Sequence, residues 1–159
     1  RPPIGKTQVD IPTGSSPQDI QKLVELFMFP VPQANRDAIA ALAKIGMPAV
    51  PALVTALGSW DNKTFNAAMQ TLVKIGAPAV PAIRAALQHP DLYVRLHARQ
   101  LLARLPAPTD KAAFVAEVAR GLESKNALDR AATCELLAAL GAHLLDLRAR
   151  WRTADEQQP

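Results

Sequence analysis

The chain has 159 residues, which is the length of one ordinary domain able to bury a core of its own. Apolar residues make up 49% of it and aromatic residues only 4%, so its core consists mainly of Ala, Leu, Val and Ile. This composition favours helices packed on helices over a β-sandwich, where β-branched and aromatic residues dominate. A membrane-spanning helix needs a run of about 18 apolar residues, and Lys, Arg or Pro interrupts every apolar stretch of this chain well before that length.

The net charge of +4 is unevenly distributed along the chain. Residues 63–104 contain a single acid, Asp91, and several cations: Lys63, Lys74, Arg84, Arg95, Arg99 and Arg104. Two interpretations stay open, a solvated rim whose long side chains cover apolar neighbours and a surface for an acidic partner.

The first 16 residues, RPPIGKTQVDIPTGSS, show no helical periodicity and are predicted to form an extended arm. Residues 16–19, SPQD, then have the pattern of a capping box with Pro at the first helical position. We expect a helix over 17–29 that caps one end of the fold. Its apolar face is formed by Ile20, Leu23, Val24 and Phe27.

Residues 44–61, KIGMPAVPALVTALGSWD, and residues 74–91, KIGAPAVPAIRAALQHPD, repeat each other at a spacing of 30. Such self-similarity indicates a stacked repeat array. Extending the register to both sides gives four helix–turn–helix repeats, the last displaced by a five-residue insertion. The first helices are predicted over 35–45, 62–75, 91–104 and 127–140, and the second helices over 48–57, 78–88, 110–122 and 142–152.

Local signals support these boundaries. Glycines follow three first helices, where a left-handed residue closes the last turn: Gly46, Gly76 and Gly141. Prolines fall in the first turn of two second helices, Pro48 and Pro78. Good N-caps begin the next repeats: Asp61, Asp91 and Asn126. We expect the inward face to bury Leu42, Val50, Leu57, Leu72, Val80, Leu87, Leu102, Val115, Leu122 and Leu137.

The pattern IGxPAVPxLxxAL, followed by a short loop, an Asp and a basic residue, resembles HEAT repeats over about 36–152. More narrowly, it resembles the short HEAT-like repeats of the phycobilisome-lyase type. The resemblance implies an all-α fold, an α-solenoid of about four HEAT-like repeats over 17–153. Residues 154–159 are polar and are predicted to form a tail. The resemblance also implies that the second helices line a concave surface, with outward positions at Val54, Thr55, Arg84, Gln88, Glu117, Arg120 and Arg148.

The residues that could carry chemistry do not cluster. The histidines, His89, His97 and His143, belong to three different repeats without metal-ligand spacing to Cys, Asp or Glu. The sequence shows no phosphate-binding Gly-rich loop and no nucleophile motif. We therefore expect no enzymatic activity, no cofactor, no metal and no small-molecule substrate.

The single cysteine, Cys134, cannot form an internal disulfide and is predicted to be a small, buried apolar side chain. Because the chain begins with Arg1 and not with Met, we expect a processed product or an excised piece. Cytoplasmic and exported locations both stay open.

Trp60 follows the first repeat at the place where the next repeat has Pro90. It either packs over a helix end or contacts a partner, and Trp151 faces the same two alternatives. We predict partner-binding residues at Trp60, Arg84, Arg95, Arg99, Arg120, Arg148 and Trp151, helped by the arm 1–16.

Glu117 and Glu123 interrupt the basic surface, which favours a protein partner over nucleic acid. The leading interpretation is a non-catalytic scaffold or accessory subunit of a larger protein complex. The alternatives are a bilin lyase-like or chaperone subunit, which follows from the resemblance alone, and a nucleic-acid-binding HEAT module.

Overall fold

The computed structural model describes residues 9–105 and 111–141. Within these two stretches the chain forms α-helices, short 3-10 turns and loops, and no β-strand. The chain divides between Ile75 and Gly76 into two compact units.

The first unit contains four α-helices and two 3-10 turns. The helices are α1 (Pro17–Glu25), α2 (Pro32–Ile45), α3 (Val50–Ala56) and α4 (Asn62–Ile75), and the turns are Leu26–Met28 and Met47–Ala49. Helix α1 packs against α2 and α3, and both of these pack against α4. The side chains at the centre of this core are fully buried: Leu23, Phe27, Leu42, Leu53, Leu57 and Leu72.

The second unit contains four more helices within the described residues. These are α5 (Val80–Ala85), α6 (Leu92–Arg104), α7 (Lys111–Ala119) and α8 (Ala127–Ala139), with 3-10 turns at Ala77–Ala79, Ala86–Gln88 and Arg120–Glu123. Helix α6 packs against α5 and α8, and α7 packs against α8. The largest buried side chains are Ile83, Leu101, Phe114, Leu122, Leu136 and Leu137.

The predicted helix boundaries agree with the observed ones to within three residues when the adjoining 3-10 turns are counted with the helices. The largest difference is at α2, which begins at Pro32 and not at residue 35. Pro32 occupies the first helical position, where its fixed φ favours the helix and its missing N–H costs little. The last predicted helix, 142–152, lies outside the described residues.

Side chains cap the helix starts as predicted. Ser16 Oγ accepts a hydrogen bond from the backbone N–H of Asp19 at 3.2 Å, which confirms the first half of the capping box. The reciprocal bond differs, because the Ser16 hydroxyl donates to the Asp19 carboxylate at 2.7 Å. The side chains of the later N-caps accept hydrogen bonds from first-turn N–H groups: Asp61 from Thr64, Asp91 from Tyr93, and Asn126 from Leu128.

The glycines after α2 and α4 turn the chain sharply. Gly46 has φ 72° and ψ −130°, and Gly76 has φ 74° and ψ −139°. The predicted positive φ is confirmed, but ψ lies far from the left-handed helical value near +47°. Gly46 N–H still bonds Leu42 O at 3.0 Å, while Gly46 O accepts from Ala49 N at 3.0 Å. The glycine therefore ends one helix and starts the next 3-10 turn within a single residue.

This backbone conformation predicts a cost for any side chain at Gly76. Gly76→Val should destabilise the fold by about 1–3 kcal/mol, because positive φ with strongly negative ψ is nearly restricted to glycine. Ala77→Val adds the same side chain at the exposed neighbouring position and serves as the control. Urea unfolding measures both, and equal stabilities for the two variants would contradict the proposed strain.

The predicted inward face is mostly correct. Eight of the ten predicted positions are buried, and the two exceptions, Val80 and Val115, are half-buried. Both exceptions lie on the short second helices α5 and α7, and none of the ten is exposed. The repeat register read from the sequence therefore selects the core.

Candidate functional site

Three large apolar side chains are exposed at one end of the first unit. Met28 and Phe29 precede α2 and are 64% and 49% exposed, and Trp60 precedes α4 and is 85% exposed. A pocket lined by Asn35 of α2 and by residues 62–70 of α4 shows that the N-terminal halves of these helices lie side by side. The segments that lead into them consequently lie at the same end. We call Met28, Phe29 and Trp60 the apolar edge.

The backbone around Trp60 is held by hydrogen bonds. The N–H groups of Gly58 and Ser59 donate to Thr55 O and Ala56 O, each at 3.1 Å. The backbone N–H of the next residue, Asp61, donates to Ser59 Oγ at 3.2 Å, and the Asp61 carboxylate caps α4. The bonds from Thr64 hold the pKa of Asp61 below its ordinary value. Trp60 is therefore exposed on a fixed turn and does not pack over the helix end.

Arg84, the first of the predicted partner-binding cations, is engaged within the second unit. Its Nη2 and Nε donate to Glu117 Oε2 at 2.6 Å and 3.1 Å. Its guanidinium also lies 4.8 Å from the centre of the Phe114 ring, within the range of a cation–π interaction. About a quarter or less of each charged side chain is exposed, at 22% for Arg84 and 26% for Glu117.

Arg95 and Arg99 share one buried carboxylate, that of Asp129. Arg95 Nη2 and Nε donate to Asp129 Oδ2 at 2.7 Å and 2.9 Å, and Arg99 Nη1 donates to Oδ1 at 2.6 Å. Arg99 is only 4% exposed and Asp129 only 2%. Arg99, which the sequence predicted as a partner-binding residue, is therefore buried, and its charge is compensated inside the unit.

The carboxylate of Asp129 connects α6 to α8 and the preceding turn. Ser124 Oγ adds a hydrogen bond to Oδ2 at 3.0 Å, and Arg95 Nη1 also donates to His89 O at 2.7 Å. Burial alone would raise the pKa of Asp129, but the hydrogen bonds from Arg95 and the charge of Arg99 outweigh it and lower that pKa. We call Arg95, Arg99 and Asp129 the buried ion cluster.

Two further residues support the buried ion cluster and were missed by sequence reasoning. Arg130 is also buried, and its Nη1 donates to Ser124 O at 2.9 Å. Gly121 lies so close to the cluster that a Cβ there would collide with Thr133 Oγ1 and Arg99 Nη2. A signal for the cluster existed at position 129, where Asp replaces the apolar Val94 of the preceding repeat.

The other predicted partner-binding residues have simpler placements. Arg120 is exposed in the 3-10 turn after α7. Arg148 and Trp151 lie outside the described residues, as does His143. Cys134 is half-buried, not fully buried as predicted, and burial together with Glu135 raises the pKa of its thiol.

A family comparison identifies the repeats. The family model for HEAT repeats matches residues 20–103, which is more than half of the 159 residues. The chain belongs to the HEAT-repeat family. No curated protein matches the chain.

Family membership and the observed helices agree on the architecture. The expected fold class, an all-α α-solenoid of HEAT repeats, is confirmed by the match and by the helical described residues. The match extends from Ile20 in α1 to Ala103 in α6, so it includes most of α1 as well as the two clear KIG-PAVP repeats. HEAT repeats generally mediate protein interactions, which agrees with the expected protein-binding role.

Within residues 9–105 and 111–141, no three His, Cys, Asp or Glu side chains lie close enough to hold a metal ion. No single helix in the described part is long and apolar enough to cross a membrane. The segments Pro32–Ile45 and Met47–Ala56 are long and apolar enough only when they are taken together, and the chain bends by 115° between them.

Proposed function

We propose that this HEAT-repeat protein is a non-catalytic scaffold or accessory subunit of a larger complex, and that it holds a partner protein at the apolar edge of its first unit. The observation that supports this most is the exposure of Trp60, 85%, on a hydrogen-bonded turn. Trp is enriched among the residues that dominate protein-binding energies. Met28 and Phe29 extend the same surface with further apolar area.

The entropic cost of ordering the backbone on binding is low at this surface. Because Ser59 and Asp61 fix the turn, Trp60 loses little backbone freedom when a partner covers it. In the proposed complex the indole is an anchor that fills a pocket of the partner. The arm 1–16 is proposed to add further contacts with the partner, as is the exposed Arg120 of the second unit.

The paired cations argue against the nucleic-acid alternative. Arg84, Arg95 and Arg99 belong to the basic stretch 63–104, but Glu117 and Asp129 compensate their charges. A nucleic-acid groove needs uncompensated cations along its length. The bilin lyase-like or chaperone alternative depends on the narrower resemblance, and no feature of the described residues favours it.

The proposal predicts different effects for two exposed apolar residues. A tagged chain of all 159 residues carrying Trp60→Ser should recover at least about tenfold less partner, since a buried Trp anchor contributes about 2 kcal/mol or more. Leu128→Ser is the matched control, because Leu128 is 60% exposed in the second unit. Quantitative co-purification from the native source compares the two with the unchanged chain.

The Leu128→Ser control also defines which results would contradict the proposal. Both variants should keep the melting temperature of the unchanged chain, because both side chains are exposed. Unchanged partner recovery with Trp60→Ser, or an equal loss with Leu128→Ser, would contradict a partner surface at the apolar edge.

A further inference from the structure

Helix α4 carries a row of side-chain amides on its exposed face. Asn62, Asn66 and Gln70 follow one another at intervals of four residues, and all three are exposed. They line an open pocket of about 300 Å³ between α4 and α2, with buried Ala67 at its base and Lys63 and Asn35 at its sides. We call Asn62, Asn66 and Gln70 the amide stripe.

The repeat itself does not require the two asparagines of the stripe, whereas Gln70 recurs as Gln100 in the next repeat. At the place of Asn62 the neighbouring repeats have Pro32 and Leu92, and at the place of Asn66 they have Arg36 and Leu96. Asn also has a poor helix propensity, because its side chain competes for backbone hydrogen bonds. Asn66 shows this competition, since its Nδ2 donates to Asn62 O at 2.7 Å. Two asparagines on one exposed helical face therefore cost stability without improving the packing.

Most hydrogen-bonding groups of the amide stripe remain available within the described chain. The side chains of Asn62 and Gln70 make no hydrogen bond to the described residues, and Asn66 uses only its Nδ2. Across the pocket Asn35 uses its Nδ2 for Phe27 O at 3.0 Å, which leaves its Oδ1 as an acceptor. Each free primary amide offers a donor and an acceptor together.

The spacing of the amide stripe matches an extended polypeptide. Four residues along an α-helix advance about 6.0 Å, at about 1.5 Å per residue. Two residues of an extended chain advance about 6.6 Å, and they bring the next N–H and C=O to the same side. Successive amides of the stripe can therefore pair with alternate residues of an extended segment, as a neighbouring strand would.

We propose that the amide stripe binds the main chain of an extended peptide segment with acidic side chains. The acidic character follows from the surroundings: Lys63 and Lys74 are exposed near the two ends of the stripe, α4 itself contains no Asp or Glu, and the carboxylate of its N-cap Asp61 is engaged by Thr64. Backbone pairing supplies affinity without strict sequence readout, and the lysines select the charge. This inference rests on the proposed protein-binding function and specifies the partner segment.

The test removes the amides without threatening the helix. The variant Asn62→Ala/Asn66→Ala/Gln70→Ala replaces exposed residues by the best helix former, so its thermal stability should match or exceed that of the unchanged chain. Gln100→Ala is the control, because Gln100 has the place in α6 that Gln70 has in α4 and is also exposed.

The probe is a displayed library of random peptides of about eight residues, selected on the full chain, since about 3.3 Å per residue lets them span the stripe. Enriched peptides should carry Asp or Glu. Their affinity should fall at least about tenfold for the triple variant and remain unchanged for Gln100→Ala. N-methylation of every second backbone amide should abolish binding when it falls on the residues that face the stripe, and it should leave binding intact when it falls on the residues between them.

Each remaining outcome overturns the amide stripe as a peptide site. These outcomes are no enriched peptide, equal binding by the triple variant, or equal effects of the two N-methylation patterns. Failure of the proposed function is separate, because it appears as partner recovery that does not depend on Trp60. A chain that needs Trp60 for its partner but binds peptides without the amides would keep the function and lose only this inference.

Discussion

Asp129→Asn should destabilise the protein by about 3–5 kcal/mol, the largest effect expected of any conservative substitution in the described chain. The substitution keeps the shape of the side chain but removes the negative charge between Arg95 and Arg99. Arg99 is 4% exposed and stays protonated at neutral pH, so its charge would be left buried without compensation. Urea unfolding followed by circular dichroism measures the loss.

Glu117→Gln is the matched control for Asp129→Asn. Its ion pair with Arg84 is of similar length but partly exposed, at 22% and 26%. Solvent screens such a pair, so we expect a loss of about 0–1 kcal/mol. Similar losses of unfolding free energy for the two variants would show that burial does not determine how much the ion cluster stabilises the fold.

The pH dependence of the Asp129 effect follows from the sign of its pKa shift. The pKa of Asp129 is lower in the folded protein than its ordinary value of 3.8. A carboxyl group with a lowered folded-state pKa stabilises the fold above its unfolded-state pKa, and this contribution is lost as pH falls through the folded-state value. The difference between the unchanged chain and Asp129→Asn should thus be full at pH 7 and shrink below about pH 4.

Leu72→Ala should cost about 2–5 kcal/mol, the range for a buried leucine whose surroundings collapse only partly. Leu72 lies on α4 with 0% of its surface exposed, and the neighbouring Val73 is 40% exposed. Val73→Ala in the same helix is the control and should cost less than about 1 kcal/mol, because exposed positions tolerate truncation. Differential scanning calorimetry compares the two, and a reversed order would contradict the repeat register.

The sequence predicts the helices of this protein well because their boundaries depend on local signals. Gly46 and Gly76 end helices through their own backbone freedom, and Asp61, Asp91 and Asn126 cap the next ones through hydrogen bonds within one turn. Each of these signals acts over only a few residues, so it is visible in the sequence alone. The core follows from the same register, because helical periodicity converts the repeat into an inward face.

The candidate site was harder to predict because it depends on contacts between distant residues. Arg99 and Asp129 are 30 residues apart, and their pairing requires α6 and α8 to pack in a specific register. Six cations in residues 63–104 therefore suggested a basic surface, although three of them are paired inside the second unit. The exposure of Trp60 likewise depends on the hydrogen-bonded turn at residues 57–61, and no sequence motif predicts this turn.

The central claim, protein binding at the apolar edge, is tested most directly by site-specific photo-crosslinking in the native source. A photoreactive phenylalanine analogue placed at position 60 of the full chain should form one covalent adduct with one partner protein. The same analogue at position 128 should form none, although the residue there is also exposed. Absence of an adduct at position 60, or equal adducts at both positions, would contradict the claim.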